Sequence, residues 1–267
     1  MGIADAPVWL SGLVMAIAFG IALEAGYRLH VWAIRGREDE KTSEGAGHII
    51  SAALGLLGLL IGFTFAMAGE RYEARREMVV EESNAISTTY LRDQLFDEPA
   101  RAQLSALLAD YVKVRQSFAA AGVDPRKLDE VDARSAALQG RIWEESGMAL
   151  RTPAGAPLTT SVLQATTQMF DLAASRRAAL DGRVPAHVFL VLTVYALATA
   201  GIMGYGLAIR RRRHWIASNG LFVLVALAIA LIADLDQPRS GGIRVSQTPL
   251  DRAASAILQA NKLQPSR

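Results

Sequence analysis

The chain has 267 residues, 51 % hydrophobic and 20 % charged, with a mean hydropathy of +0.22, an apolar excess unusual for a purely water-soluble protein. It contains no cysteine, which excludes disulfides, thiolate metal sites and cysteine nucleophiles. A net charge of +2 is too small to suggest nucleic acid as a partner.

The distribution of the apolar residues decides the class. Val8 to Ala25 is the first apolar run, with Trp9 near one end and Tyr27 and Trp32 past the other, where amphipathic rings settle among lipid headgroups. Its leader, MGIADAP, has no Lys or Arg and carries Asp5, the reverse of a cleavable signal, so the run reads as a retained span. A polar loop from Arg28 to His48 leads to Ile49–Ala68, a run without a charge that is long enough to cross a hydrocarbon core of roughly 30 Å. Only Gly69 follows it as a breaker. One glycine costs about 1 kcal/mol in a helix interior, so this second span is expected to continue out of the membrane as one long helix to about Leu95.

The polar insert, 69–184, reads as a helical bundle. Leu104, Leu107, Leu108, Tyr111, Val112, Arg115 and Phe118 fall on one helical stripe, with Arg115 its one polar member. Pro99 suits the first turn of that helix, and Gly122 and Pro125 stop it. A third helix carries Leu128, Val131, Leu138 and Ile142, a loop covers Thr152–Pro157, and a fourth helix, Leu158 to about Leu180, carries Val162, Met169, Phe170 and Ala173. That fourth helix is expected to enter the next span through a kink at Gly182 and Pro185. Pro185–Ile209 and Trp215–Ala233 are the third and fourth spans, joined by Arg210 to Arg213. In the polar tail, 234–267, Leu250–Leu263 reads as a short amphipathic helix, with Ala254, Ile257 and Leu258 available to dock on the insert.

The expected fold is therefore an all-α integral membrane protein of two transmembrane hairpins, 1–68 and 185–233, separated by the helical insert. The hairpin loops hold Arg28, Arg35, Arg37, Lys41 and Arg210 to Arg213, which places them in the cytoplasm of a bacterial inner membrane, with the insert and both termini outside. The basic residues at the insert's ends, Arg71, Arg75, Arg76, Arg176, Arg177 and Arg183, would offset that count together with Arg239 and Arg244, but long translocated segments weigh little.

Several residues are candidates for function. Glu77, Glu81, Asn84 and Thr88 form a polar stripe on the extension of span two, opposite Val79, Ser83, Ile86 and Tyr90. The stripe is either a solvated face or the lining of an ion path, where carboxylates set ion preference at close range. Phe63 lies five helical turns before Glu81, so Phe63 and Met67 share that face and could form an apolar constriction; lipid or helix packing is the alternative. Arg71 and Arg75 either snorkel to headgroups or line an anion-attracting vestibule. Gly55, Gly58 and Gly62 permit close helix approach in lipid. Asp234 and Asp236 stand at the end of span four with Arg239 as a possible partner, and too few oxygens for a calcium loop. Glu24, at the end of span one, is expected to snorkel. His30, His48, His187 and His214 make no zinc pattern, no metal or cofactor is expected, and no motif argues for an enzyme.

Gly62–Phe65, Arg71-Tyr72, Arg75-Arg76, Val80–Ile86, Tyr90–Arg92, Asp234–Arg239, Gly241 and Gln247–Pro249 together resemble the bacterial bestrophin-like family over roughly Ile49 to Pro249. Bestrophins are pentameric anion channels with four spans, a long pore-lining second span and helical insertions. The resemblance thus implies a homo-oligomer, a pentamer by analogy, that passes small inorganic ions across a lipid bilayer. The bestrophin pore-neck motif and acidic calcium clasp have no counterpart in this sequence, and the bestrophin helical region is cytosolic, opposite to the charge count. The expected function is an oligomeric ion channel of open selectivity. The alternative is a non-conducting sensor or envelope scaffold whose insert binds a partner or ligand.

Overall fold

The computed structural model describes residues 8–33, 42–122, 124–209, 214–237 and 241–263. It is 88 % helical, and no strand occurs among the described residues, which makes the chain an all-α protein. In chain order the helices are α1 (Val8–Ala33), α2 (Thr42–Asp93), α3 (Ala100–Ala120), α4 (Pro125–Leu150), a 3-10 turn at Ala156–Leu158, α5 (Thr159–Asp181), α6 (Ala186–Ile209), α7 (Trp215–Asp236) and α8 (Thr248–Leu263). Four of them, α1, α2, α6 and α7, are long and apolar enough to cross a membrane.

Helix boundaries follow local chemistry. α1 continues to Ala33, so Tyr27 and Trp32 lie within the helix and not past it; the apolar run ends before the helix does. α2 is unbroken over 52 residues, since Gly69 alone does not interrupt it. α3 ends where Gly122 takes φ +62, a left-handed conformation that disfavours any side chain. α4 starts at Pro125 behind Asp124, whose side chain accepts a hydrogen bond from Arg126 N at 3.0 Å. α5 does not run on into α6. Gly182 is extended (φ −70, ψ 100), and Pro185 denies the intervening residues a helical continuation.

The chain divides into two compact units, the membrane unit of residues 1–71 and 183–243 and the helical unit of residues 72–182 and 244–267. In the first, α1 packs on α6 and α7 around Phe19, Leu23, Leu192, Ala196, Phe222 and Ile229. The tightest approach is made through glycine: a Cβ added at Gly26 would run into the carbonyl of Gly201, and one added at Gly204 into that of Leu23. Backbones meet there without side chains between them, which is how helices gain contact in lipid. In the second unit, Ile86, Leu104, Leu108, Tyr111, Ile142 and Met169 form the centre of the core. α8 packs on α3 and adds Leu250, Ala254 and Ile257 to that core.

Candidate functional site

Along α2, one face stays uncovered. In the membrane unit Gly55, Gly58 and Gly62 have no described atom within 4 Å of an added Cβ, so their small size serves no contact with the described residues. Phe63 and Met67 flank them at 62 % and 38 % exposure. Further along, Glu77, Asn84 and Thr88 are exposed and Glu81 is half-buried, while Val79, Ser83, Ile86 and Tyr90 are buried on the other side. Within each unit, spacings of three and four residues put Gly55, Gly58 and Gly62, and separately Glu77, Glu81, Asn84 and Thr88, on one side of the helix.

In the second unit Glu81, Asn84, Ala85 and Thr88 of α2 form a groove of about 270 Å³ with Gln168 and Leu172 of α5. It gathers one carboxylate, two amides and a hydroxyl. Gln168 has no signal in the sequence; only the packing of α5 brings it beside the stripe.

The two arginines differ. Arg71 is half-buried. Arg75 is buried, and its Nη1 donates to Gly182 O at 3.4 Å. Gly182 caps α5, so this guanidinium neutralises the exposed carbonyls of a helix C-terminus and does not stand on the open face.

Beneath the open face lies a charge cluster that sequence reasoning does not single out. Glu82 is 0 % exposed; its Oε1 accepts from Arg115 Nε and its Oε2 from Arg176 Nη1. Both guanidiniums lie over the Phe118 ring, at 4.8 and 5.2 Å from its centroid. Arg176 Nη2 also donates to Gln247 Oε1 at 2.6 Å, which secures the C-terminal segment to α5. Burial pulls the Arg176 guanidinium below its usual range while the Glu82 carboxylate opposes the shift. The sequence carries one hint of this, Arg115 as the polar residue on an apolar stripe. Its partners lie far away in sequence and leave no periodic mark.

At the end of α7, Asp234 accepts from the backbone N–H groups of Gly242 (2.7 Å) and Ile243 (3.0 Å), and Asp236 accepts from Val184 N (2.8 Å). Gly241 must be glycine for this, because a Cβ would come within 2.6 Å of Asp234 Oδ1. The two carboxylates thus act as backbone acceptors that fold the chain back at the end of the span; Arg239 lies outside the described residues. Glu24 is held by Arg28 Nε at 2.8 Å and reached by Trp215 Nε1 at 3.4 Å. Among the described residues no group of three or more His, Asp or Glu side chains is placed to hold a metal ion.

The architecture has known counterparts. Two crystal structures of single-residue variants of a bacterial bestrophin homologue from Klebsiella pneumoniae are similar to this chain. One has a TM-score of 0.61 at 16 % identity, covering 97 % of this chain and 100 % of that one. The other has a TM-score of 0.59 at 14 % identity, covering 94 % and 98 %. A further crystal structure, described as that of a membrane protein, has a TM-score of 0.62 at 12 % identity and covers 95 % of this chain and 99 % of its own. At these identities the likeness establishes the fold. None of the curated proteins matches the chain. The family model for the bestrophin-like domain matches residues 16–250, and the chain belongs to the bestrophin-like family of membrane proteins.

Proposed function

We propose that the protein is a homo-oligomeric ion channel of the bacterial inner membrane, a pentamer by analogy with bestrophins, with the open face of α2 lining the ion path. The observation that carries this reading is the open side that α2 presents in each unit: in the membrane unit it is lined by glycines that no described residue approaches, and in the helical unit it carries exposed Glu77, Asn84 and Thr88 with half-buried Glu81 beside them. Phe63 and Met67 form the constriction, where a ring of apolar side chains gates by dewetting. Glu77 and Glu81 favour cations, and the kinship with bestrophins favours anions. Arg71 stands close enough along the helix to shift that balance.

Flux from liposomes, measured separately for chloride, sodium and potassium, tests the reading. Selective flux that rises in Phe63→Ala and changes selectivity in Glu81→Gln supports it. Folded, inserted protein that conducts none of the three ions, with or without Phe63→Ala, overturns it. The groove between α2 and α5 favours a second reading, a non-conducting sensor or scaffold with a ligand site in the helical unit. Under that reading Gln168→Ala alters ligand response while flux is absent throughout.

The eight basic residues of the hairpin loops favour a cytoplasmic position for both loops, with the insert and termini outside. The cysteine-free chain makes this simple to check. A single cysteine at exposed Arg151, on intact cells, reacts with an impermeant maleimide if the insert is outside and is protected if it is cytoplasmic.

A further inference from the structure

Asp93 is the last residue of α2, well beyond the apolar stretch Ile49–Ala68. It is 0 % exposed, and among the described residues neither carboxyl oxygen has a hydrogen-bond partner. Glu82, three turns earlier and equally buried, receives two guanidiniums; Asp93 receives none from the described residues. An unpaired carboxylate in such a place is so costly that the group takes up a proton instead. The helix end adds to this, because its free carbonyls carry partial negative charge and repel an anion.

The surroundings make the position consequential. Thr89 Oγ1 donates to Ala165 O of α5 at 3.2 Å, Tyr90 OH donates to Asn261 Oδ1 of α8 at 2.9 Å, and Gln94 Nε2 donates to Ser105 Oγ of α3 at 2.8 Å. The turns on either side of Asp93 are therefore where the end of α2 is fastened to three other helices.

We propose that Asp93 is a proton-operated latch: protonated, it lets the end of α2 seat among α3, α5 and α8, and ionised, it drives that corner open. Among the described residues no charged group on these elements is paired with it: Arg115 and Arg176 are held by Glu82, and Arg177 by Asp132. Arg92 is committed to Ser161 O, Arg101 to Glu98, and Lys113 to Asp110, while Asp97 and Asp171 are exposed and Lys262 sits in the last turn of α8. Tyr90, the other titratable group on this turn, is itself pushed upward by burial and stays neutral with its hydroxyl on Asn261. Burial raises the Asp93 carboxyl from 3.8 to about 7.

The sign follows from that direction. The closed corner holds the proton more tightly than the open one, so its stability is full below about pH 4 and declines as pH rises to about 7, beyond which it is flat. Between pH 5 and pH 8 the closed-to-open ratio falls about a hundred-fold. The latch depends only on the packing of the helical unit and holds whether or not the protein conducts ions.

Hydrogen exchange of the full-length protein in nanodiscs, followed at residues 89–105 and corrected for intrinsic exchange, tests it. The expected result is about a hundred-fold loss of protection from pH 5 to pH 8 in wild type. In Asp93→Asn, which stays neutral throughout, protection stays level. Equal pH profiles in the two proteins overturn the proposal. An infrared pH titration of wild type avoids dependence on the variant's folding. A protonated buried carboxyl that ionises near pH 7 supports the latch, and the absence of any carboxyl titrating above pH 5 overturns it.

Discussion

The two halves of α2 show how differently the two units are held together. In the membrane unit α2 buries Leu57, Thr64 and Ala68, a narrow line along one side of the helix. In the helical unit it buries Arg75, Val79, Glu82, Ser83, Ala85, Ile86, Thr89, Tyr90 and Asp93, a band wide enough for a core helix. Polar groups differ in part as well. In the membrane unit threonine hydroxyls turn back to their own helices, Thr64 to Leu60 O, Thr193 to Phe189 O and Thr199 to Tyr195 O, all at 2.7–2.8 Å. In the helical unit some do the same, Ser87 to Ser83 O and Thr167 to Leu163 O, but others also reach across: Ser83 donates to Pro249 O at 2.8 Å, Thr89 donates both to Ala85 O of its own helix and to Ala165 O of α5, and Glu82 accepts from two arginines. In lipid the unfolded alternative offers no water, so satisfaction within each helix is the safe solution. In water the apolar core supplies the driving force, and buried polar links fix which helices meet.

This contrast can be broken experimentally, most severely at Glu82. Glu82→Ala strands two buried guanidiniums and is expected to cost about 3–5 kcal/mol, seen as a large drop in the urea midpoint of the helical unit. Replacing Glu82, Arg115 and Arg176 together with apolar residues of similar volume restores most of that loss. Next come the glycines. Gly204→Ala forces a Cβ into the Leu23 carbonyl, which side-chain adjustment cannot relieve, and is expected to lower thermal stability in detergent by about 3 kcal/mol. Gly58→Ala meets open space and gains up to about 1 kcal/mol in helix propensity. Oligomer dissociation in Gly58→Ala would mark the open face as a seam between copies, and altered flux from an intact oligomer would mark it as the path. Thr89→Val removes the link to Ala165 and is expected to cost about 1 kcal/mol. Thr64→Val, which loses only a bond within its own helix, is expected to change stability by less than about 0.5 kcal/mol in a melt of the same kind.

What the sequence reveals here is what is local. The charge-free run Ile49–Ala68, the unbroken passage over Gly69 and the apolar stripe from Leu104 to Phe118 are periodicities within one helix, and each corresponds to an observed element. The open stripe from Glu77 to Thr88 is legible for the same reason. The Glu82–Arg115–Arg176 cluster joins residues up to 94 positions apart, so no spacing rule finds it. Glycine spacing draws attention to Gly55, Gly58 and Gly62, whereas the close approach inside the chain uses Gly26, Gly201 and Gly204 on two different helices. Asp234 reads as a costly carboxylate in need of a cation; its role as acceptor for Gly242 and Ile243 depends on a chain reversal that composition does not encode.

The docking of α8 has a consequence for synthesis. Leu250, Ala254 and Ile257 complete a core whose other residues emerge from the ribosome much earlier, and two spans must be threaded into the bilayer in between. The helical unit therefore waits, with one side of α3 bare, until α8 has emerged. A stop codon just before Leu250 would remove no span, yet would leave that side of the bundle permanently uncovered, open to proteolysis and aggregation. Under the proposed membrane arrangement the same contact requires α6 and α7 to cross as a pair, since α8 and α3 share a unit.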